Sequence, residues 1–172
     1  MARRAGRERL RLVGHRGDLA SNIIARHHGG DVPAGARAPG RLAQAAATSA
    51  LLTGGRFSLG VGTGEVLNEH ILGDQWPPAE QRMEMLEEAV HVIRKLLTGQ
   101  LISHAGDRYT VDTARLYSGP ASPPPIYISG FGEKSVKRAA RIGDGYVCVQ
   151  PNADFVRLYR ESGGGDRPVQ AG

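Results

Sequence analysis

The feature that most constrains this chain lies near its end. Two short apolar runs, IYIS at 126–129 and YVCV at 146–149, flank a basic stretch with helical spacing, and a glycine turn stands at each junction. The stretch Glu133 to Ile142 turns Val136, Ala139 and Ala140 inward and its charges outward. Strand, Gly-rich turn, helix, Gly turn and strand in succession indicate a parallel α/β sheet. Short, wholly apolar strands are what such a sheet uses when both its faces are covered.

The alternation extends back along the chain. Leu42 to Leu52 (LAQAAATSALL) has a strong helix composition, and Gly54 and Gly55 end it as C-cap glycines. Arg56 to Val61 (RFSLGV) reads as a strand. Pro77 and Pro78 mark a helix start. Met83, Leu86, Val90, Ile93 and Leu97 then form one apolar helix face. Glu80, Glu84, Glu87 and Glu88 near its start and Arg94 and Lys95 near its end complement the helix dipole. Leu101 to His104 and Arg108 to Val111 flank a small hairpin turn. Asp154 to Tyr159 begins a last helix, Ser162 to Gly165 is a Gly-rich turn, and no closing element is expected after it.

Residues 1–41 differ in kind. They hold nine arginines against three acids, Glu8, Asp18 and Asp31, whereas the rest of the chain is almost neutral. Glycines and prolines interrupt every candidate helix or strand there. Three readings remain: a poorly ordered segment, a basic arm for nucleic acid, or a start that is not the native one. The nucleic-acid reading is disfavoured, because the segment has no lysine and no aromatic residue for base stacking. No run approaches the roughly 20 apolar residues of a membrane span. The basic start lacks the apolar stretch of a signal peptide. The single cysteine, Cys148, reads as a small buried hydrophobe. A cytoplasmic setting is the simplest expectation.

In α/β folds ligands gather at the carboxyl ends of the strands. GVGTGE at 60–65 fails as a dinucleotide fingerprint, since Glu65 stands where the third glycine would be. Glu65 is either an acid/base group or a capping carboxylate. Gly130 to Ser135 (GFGEKS) runs from a strand into a helix N-terminus, where free N–H groups and the dipole favour an anion. It is not a P-loop, and an ordinary capped βα turn is the alternative. His70, His91 and His104 have no metal-ligand spacing, so no metal is expected. Trp76, before two prolines, reads as a packing anchor.

Together RFSLGVGTGEVLNE (56–69), QWPP (75–78), VIRKLLTG (92–99) and PIYISGFGEKSVKRAARIGDGYVC (125–148) resemble the coenzyme F420-dependent oxidoreductases of the glucose-6-phosphate dehydrogenase-like family, within the luciferase-like superfamily. The resemblance implies a (β/α)8 TIM barrel, present here in part: 42–172 would be its centre, since a whole barrel needs about 250 residues. It also implies hydride transfer between a deazaflavin and an alcohol or carbonyl substrate, and homodimers among full-length relatives. Thr63, Gly64 and Asn68 match positions that hold the deazaflavin; Phe131, Gly132, Lys134 and Ser135 match the loop around its phosphate tail; Glu65 matches the catalytic carboxylate. An FMN-dependent monooxygenase of the same superfamily is the alternative, and a non-catalytic basic interaction protein is a third reading. The family's catalytic histidine has no counterpart in 1–41, where His15, His27 and His28 stand in other contexts. Val149 and Asn152 replace the threonine and lysine that hold a sugar phosphate, which argues against glucose 6-phosphate.

Overall fold

The computed structural model describes residues 19–22, 37–64, 77–148 and 150–171. Its elements run β1 (Leu19–Asn22), α1 (Arg37–Leu52), β2 (Phe57–Val61), α2 (Ala79–Leu97), β3 (Ile102–Ala105), β4 (Thr110–Ala114), β5 (Ile126–Ser129), α3 (Glu133–Ile142), β6 (Gly145–Cys148), α4 (Ala153–Tyr159), a π-helical turn (Arg160–Gly164) and β7 (Val169–Ala171). Five strands pair in parallel in the order β1-β2-β5-β6-β7, and β3 and β4 form a separate antiparallel pair.

One face of the sheet carries the large apolar side chains. Phe57, Leu59, Val61, Ile126, Ile128, Tyr146 and Cys148 join Ala43, Ala46 and Ala50 of α1 and Leu86, Val90, Ile93 and Leu96 of α2 in one core. Val136, Ala139 and Ala140 of α3 complete it, as the helical spacing predicts. Each large side chain buried there contributes about 1.5–3 kcal/mol. The opposite face differs from the uniformly apolar strand expected. The register places Gly60, Tyr127 and Gly145 in one rung and Ser129, Val147 and Gln170 in the next. A methyl group on Gly145 would stand 2.7 Å from the Tyr127 ring, so the glycine makes room for it.

At the amino ends of the strands, polar bonds tie the layers. Asp144 accepts from Arg94 Nη2 and from the Ile126 amide, both at 2.8 Å, and Arg94 also donates to the Ile142 carbonyl. Arg167 spans the neighbouring carbonyls of Ala140, Gly143 and Gly163. On the outer side Glu88 of α2 accepts from His104 Nε2 and from the amides of Arg108 and Tyr109 at 2.9–3.0 Å, clasping the hairpin turn.

Further expectations change. Residues 1–41, read as lacking any element, contain β1 and the first turn of α1. LASN has no alternation of its own, and its strand conformation comes from pairing with β2; Pro39 is tolerated in the first helical turn, where its missing N–H has no partner to lose. A closing strand, β7, follows the Gly-rich turn and pairs with β6. The second hairpin strand starts two residues later than read, at Thr110. The helix expected from Leu42 begins at Arg37.

Candidate functional site

β2, β5 and β6 are neighbours, so the segments at their carboxyl ends are brought side by side. β2 leads into Gly62, Thr63 and Gly64, with Gly64 at φ +79°. A Cβ on Gly62 would stand 3.3 Å from that of Ser129, which sets the closeness of this segment to the end of β5. Thr63 and Gly64 are half-buried. Glu65, Asn68, His70, Trp76 and Val149 lie outside the described residues, as do His15, His27 and His28.

The segment after β5 is fixed from beneath. The Tyr146 hydroxyl donates to the Gly130 carbonyl at 2.8 Å in a buried bond. Burial first, and then the nearby Cys148, push the Tyr146 phenol up to about 12, so it remains a donor at neutral pH. Side chains are excluded at Gly130, where a Cβ would lie 2.6 Å from that of Ser135. Gly132 is the N-cap of α3 and offers no side-chain cap. The first amides of α3 thus remain available as donors at the positive end of the helix dipole. By contrast α4 is capped by its own chain, with Asn152 Oδ1 accepting from the amides of Asp154 and Phe155.

The remaining residues of the Gly130–Ser135 turn are placed as follows. Phe131 is exposed, Gly132 and Ser135 are half-buried, and Lys134 is 84% exposed with Nζ 4.0 Å from Glu80 of α2. Glu80 also accepts from Arg138 at 2.9 Å, and Glu87 pairs with Arg138 and Arg141. The acids read as dipole partners of α2 therefore have specific partners on α3 and the hairpin. Charge along one helix does not reveal such contacts. Nor did the sequence signal Tyr146, which reads as one more apolar strand residue.

Cys148 is buried, donates to the Gln170 carbonyl at 3.4 Å, and has its pKa raised by burial. Among the described residues no group of three His, Cys, Asp or Glu side chains could hold a metal ion, and no helix is long and apolar enough to cross a membrane. A cavity of about 460 Å³ lies between α1 and the hairpin, lined by Arg41, Gln44, Leu96, Val111, Asp112 and Leu116, and shares no residue with the strand-end loops.

Residues 30–162 match the luciferase-like monooxygenase family. The chain is 44% identical over 115 residues to an F420-dependent glucose-6-phosphate dehydrogenase of Nakamurella multipartita, covering 67% of this chain and 34% of that protein. It is 42% identical over 120 residues to an F420-dependent hydroxymycolic acid dehydrogenase of Mycobacterium tuberculosis, covering 70% and 33%. Among solved structures, an F420-dependent secondary alcohol dehydrogenase in complex with an F420-acetone adduct superimposes with a TM-score of 0.66 at 33% identity, covering 77% of this chain and 43% of that one. The chain thus spans about a third of the length of these curated relatives. It belongs to the luciferase-like monooxygenase family, and its parallel sheet is part of that family's (β/α)8 barrel.

Proposed function

We propose that this chain is the cofactor-binding part of a coenzyme F420-dependent oxidoreductase acting on a small alcohol or carbonyl substrate. The observation that carries the proposal is the uncapped N-terminus of α3 beside the Gly62–Gly64 segment. A phosphate-bearing cofactor fits there. Gly130 and Gly132 bring backbone close, and the amides of Glu133, Lys134 and Ser135 supply donors without a competing side-chain cap. The relatives at 42–44% identity are named as F420-dependent, which supports a deazaflavin over FMN.

In this reading Thr63, Gly64 and Asn68 hold the deazaflavin ring, and Phe131, Gly132, Lys134 and Ser135 hold the phosphate tail. A bound deazaflavin supplies two-electron hydride chemistry, while the protein supplies position and protons. Glu65, four residues after Val61 of β2, is the group that exchanges a proton with the substrate oxygen. Asn152 caps α4 and brings no cation to the end of β6, which supports a substrate other than a sugar phosphate.

The test is a fluorescence titration of the 172-residue chain with oxidised coenzyme F420 and, separately, with FMN. Saturable binding tighter for F420 is expected. Tighter binding of FMN would transfer the chain to the monooxygenase reading, and no binding of either would refute the site.

A further inference from the structure

Lys134 is the one cation in the first turn of α3, yet its side chain leans away from the loop toward α2, 4.0 Å from Glu80. Glu80 is itself held. Arg138, only 18% exposed, donates to its other carboxylate oxygen at 2.9 Å. Arg138 is in turn shared with Glu87, which also binds Arg141. Glu80, though itself 57% exposed, is therefore anchored by a half-buried guanidinium, while Lys134 is an exposed cation on a flexible stem.

An anion at the α3 N-terminus and the Glu80 carboxylate draw on the same ammonium. We propose that Glu80 is a positioning residue that restrains cofactor affinity: it holds Lys134 against α2 in the free protein and competes with the phosphate tail for it. This inference rests on the reading of the α3 N-terminus as the phosphate end of the site. An exposed ion pair is weak, worth a few-fold at most. The restraint is thus a trim on affinity, and Lys134 is released when a phosphate offers the stronger field of the helix end.

Glu80→Gln keeps the shape of the side chain and removes the competing charge. The test titrates oxidised coenzyme F420 into the isotope-labelled full chain, following the amides of Glu133, Lys134 and Ser135, for the wild type, Glu80→Gln, Lys134→Ala and the double variant. We expect Glu80→Gln to tighten binding about threefold, with that gain absent in the Lys134→Ala background. Arg138 loses a partner in Glu80→Gln, so the melting temperature should stay level or fall; a purely structural role would weaken binding along with it. An unchanged or weakened Kd in Glu80→Gln, with wild-type binding intact, overturns the restraint and leaves the cofactor reading standing. So does a gain that persists in the double variant, which would make Glu80 a general repulsive charge. Absence of wild-type binding overturns both.

Discussion

The hydroxyl of Tyr146 donates to the carbonyl of Gly130 at 2.8 Å, and this bond joins the middle of one strand to the loop beyond its neighbour. It runs between the packed core and the loop proposed to hold the cofactor tail, so one substitution should register in both. Tyr146→Phe retains the ring, which stacks on Tyr159 at 5.4 Å, and leaves the Gly130 carbonyl buried without its donor. A loss of about 1–3 kcal/mol in urea unfolding is expected, together with weaker F420 binding. Wild-type stability in Tyr146→Phe would show that water satisfies the carbonyl equally well.

The same residue sets an alkaline limit. Burial raises Tyr146 and Tyr109 from about 10 to about 12, with Cys148 and Glu88 respectively as secondary causes. The folded state therefore holds these protons more tightly than the unfolded state. Their contribution is whole below pH 10 and is lost as pH rises from about 10 through about 12. In a spectrophotometric titration, Tyr109 and Tyr146 should ionise only near unfolding. Their ionisation near pH 10 in a protein that is still folded would contradict the burial.

Glu88 has the opposite sign. Burial raises its pKa, but the His104 side chain and the amides of Tyr109 and Arg108 outweigh that and hold it below the usual carboxylate range. Its stabilisation is present above the ordinary glutamate value and is lost as pH falls through the lowered one. Glu88→Ala strands two hairpin amides and should cost about 1–3 kcal/mol at pH 7. The gap from wild type should narrow in melts repeated at about pH 3. A gap independent of pH would mean that the carboxylate charge is not what holds the hairpin.

These contacts mark where the sequence stops being informative. The helix faces of α2 and α3, the strand at 126–129 and the glycine turns were legible, because spacing and backbone preference are local properties. β1 was not, because LASN is a strand only by pairing with β2. The clasp on the hairpin was hidden for a related reason. Glu88 and Tyr109 lie 21 residues apart, and only the folding back of β3 and β4 brings them together. At the site, the turn from strand to helix at Gly130–Ser135 was legible, but the direction of Lys134 was not, since it depends on Glu80 from a different helix.

Two glycines separate a packing role from the proposed ligand-facing one. Gly145→Ala would place a methyl group 2.7 Å from the Tyr127 ring and 2.9 Å from the Pro168 carbonyl. Backbone cannot yield there cheaply, so a loss of about 1–3 kcal/mol is expected. Gly132→Ala meets nothing within 4 Å and keeps an ordinary extended φ of −144°. Its melting temperature should stay at the wild-type value. If Gly132→Ala destabilised the fold as much as Gly145→Ala, the turn would be a structural element rather than an open ligand edge.

Charge reversal tests the tail loop most directly. Lys134 and Lys137 are both exposed on α3, one in its first turn and one a turn further on. Lys134→Glu places a carboxylate next to the amides that the phosphate tail would use, and also opposite Glu80. Lys137→Glu makes the same change in net charge farther from the helix end, where the favourable field has decayed. Binding of coenzyme F420 should weaken about fivefold to tenfold in Lys134→Glu, the scale of a helix-end charge effect, and less than twofold in Lys137→Glu. Raising ionic strength should shrink the difference, because exposed charges are screened beyond about 10 Å at 0.1 M salt. Equal losses in the two variants would mean that only net charge matters and that the cofactor tail does not rest on the first turn of α3. An unchanged Kd in both would remove the phosphate from this loop altogether.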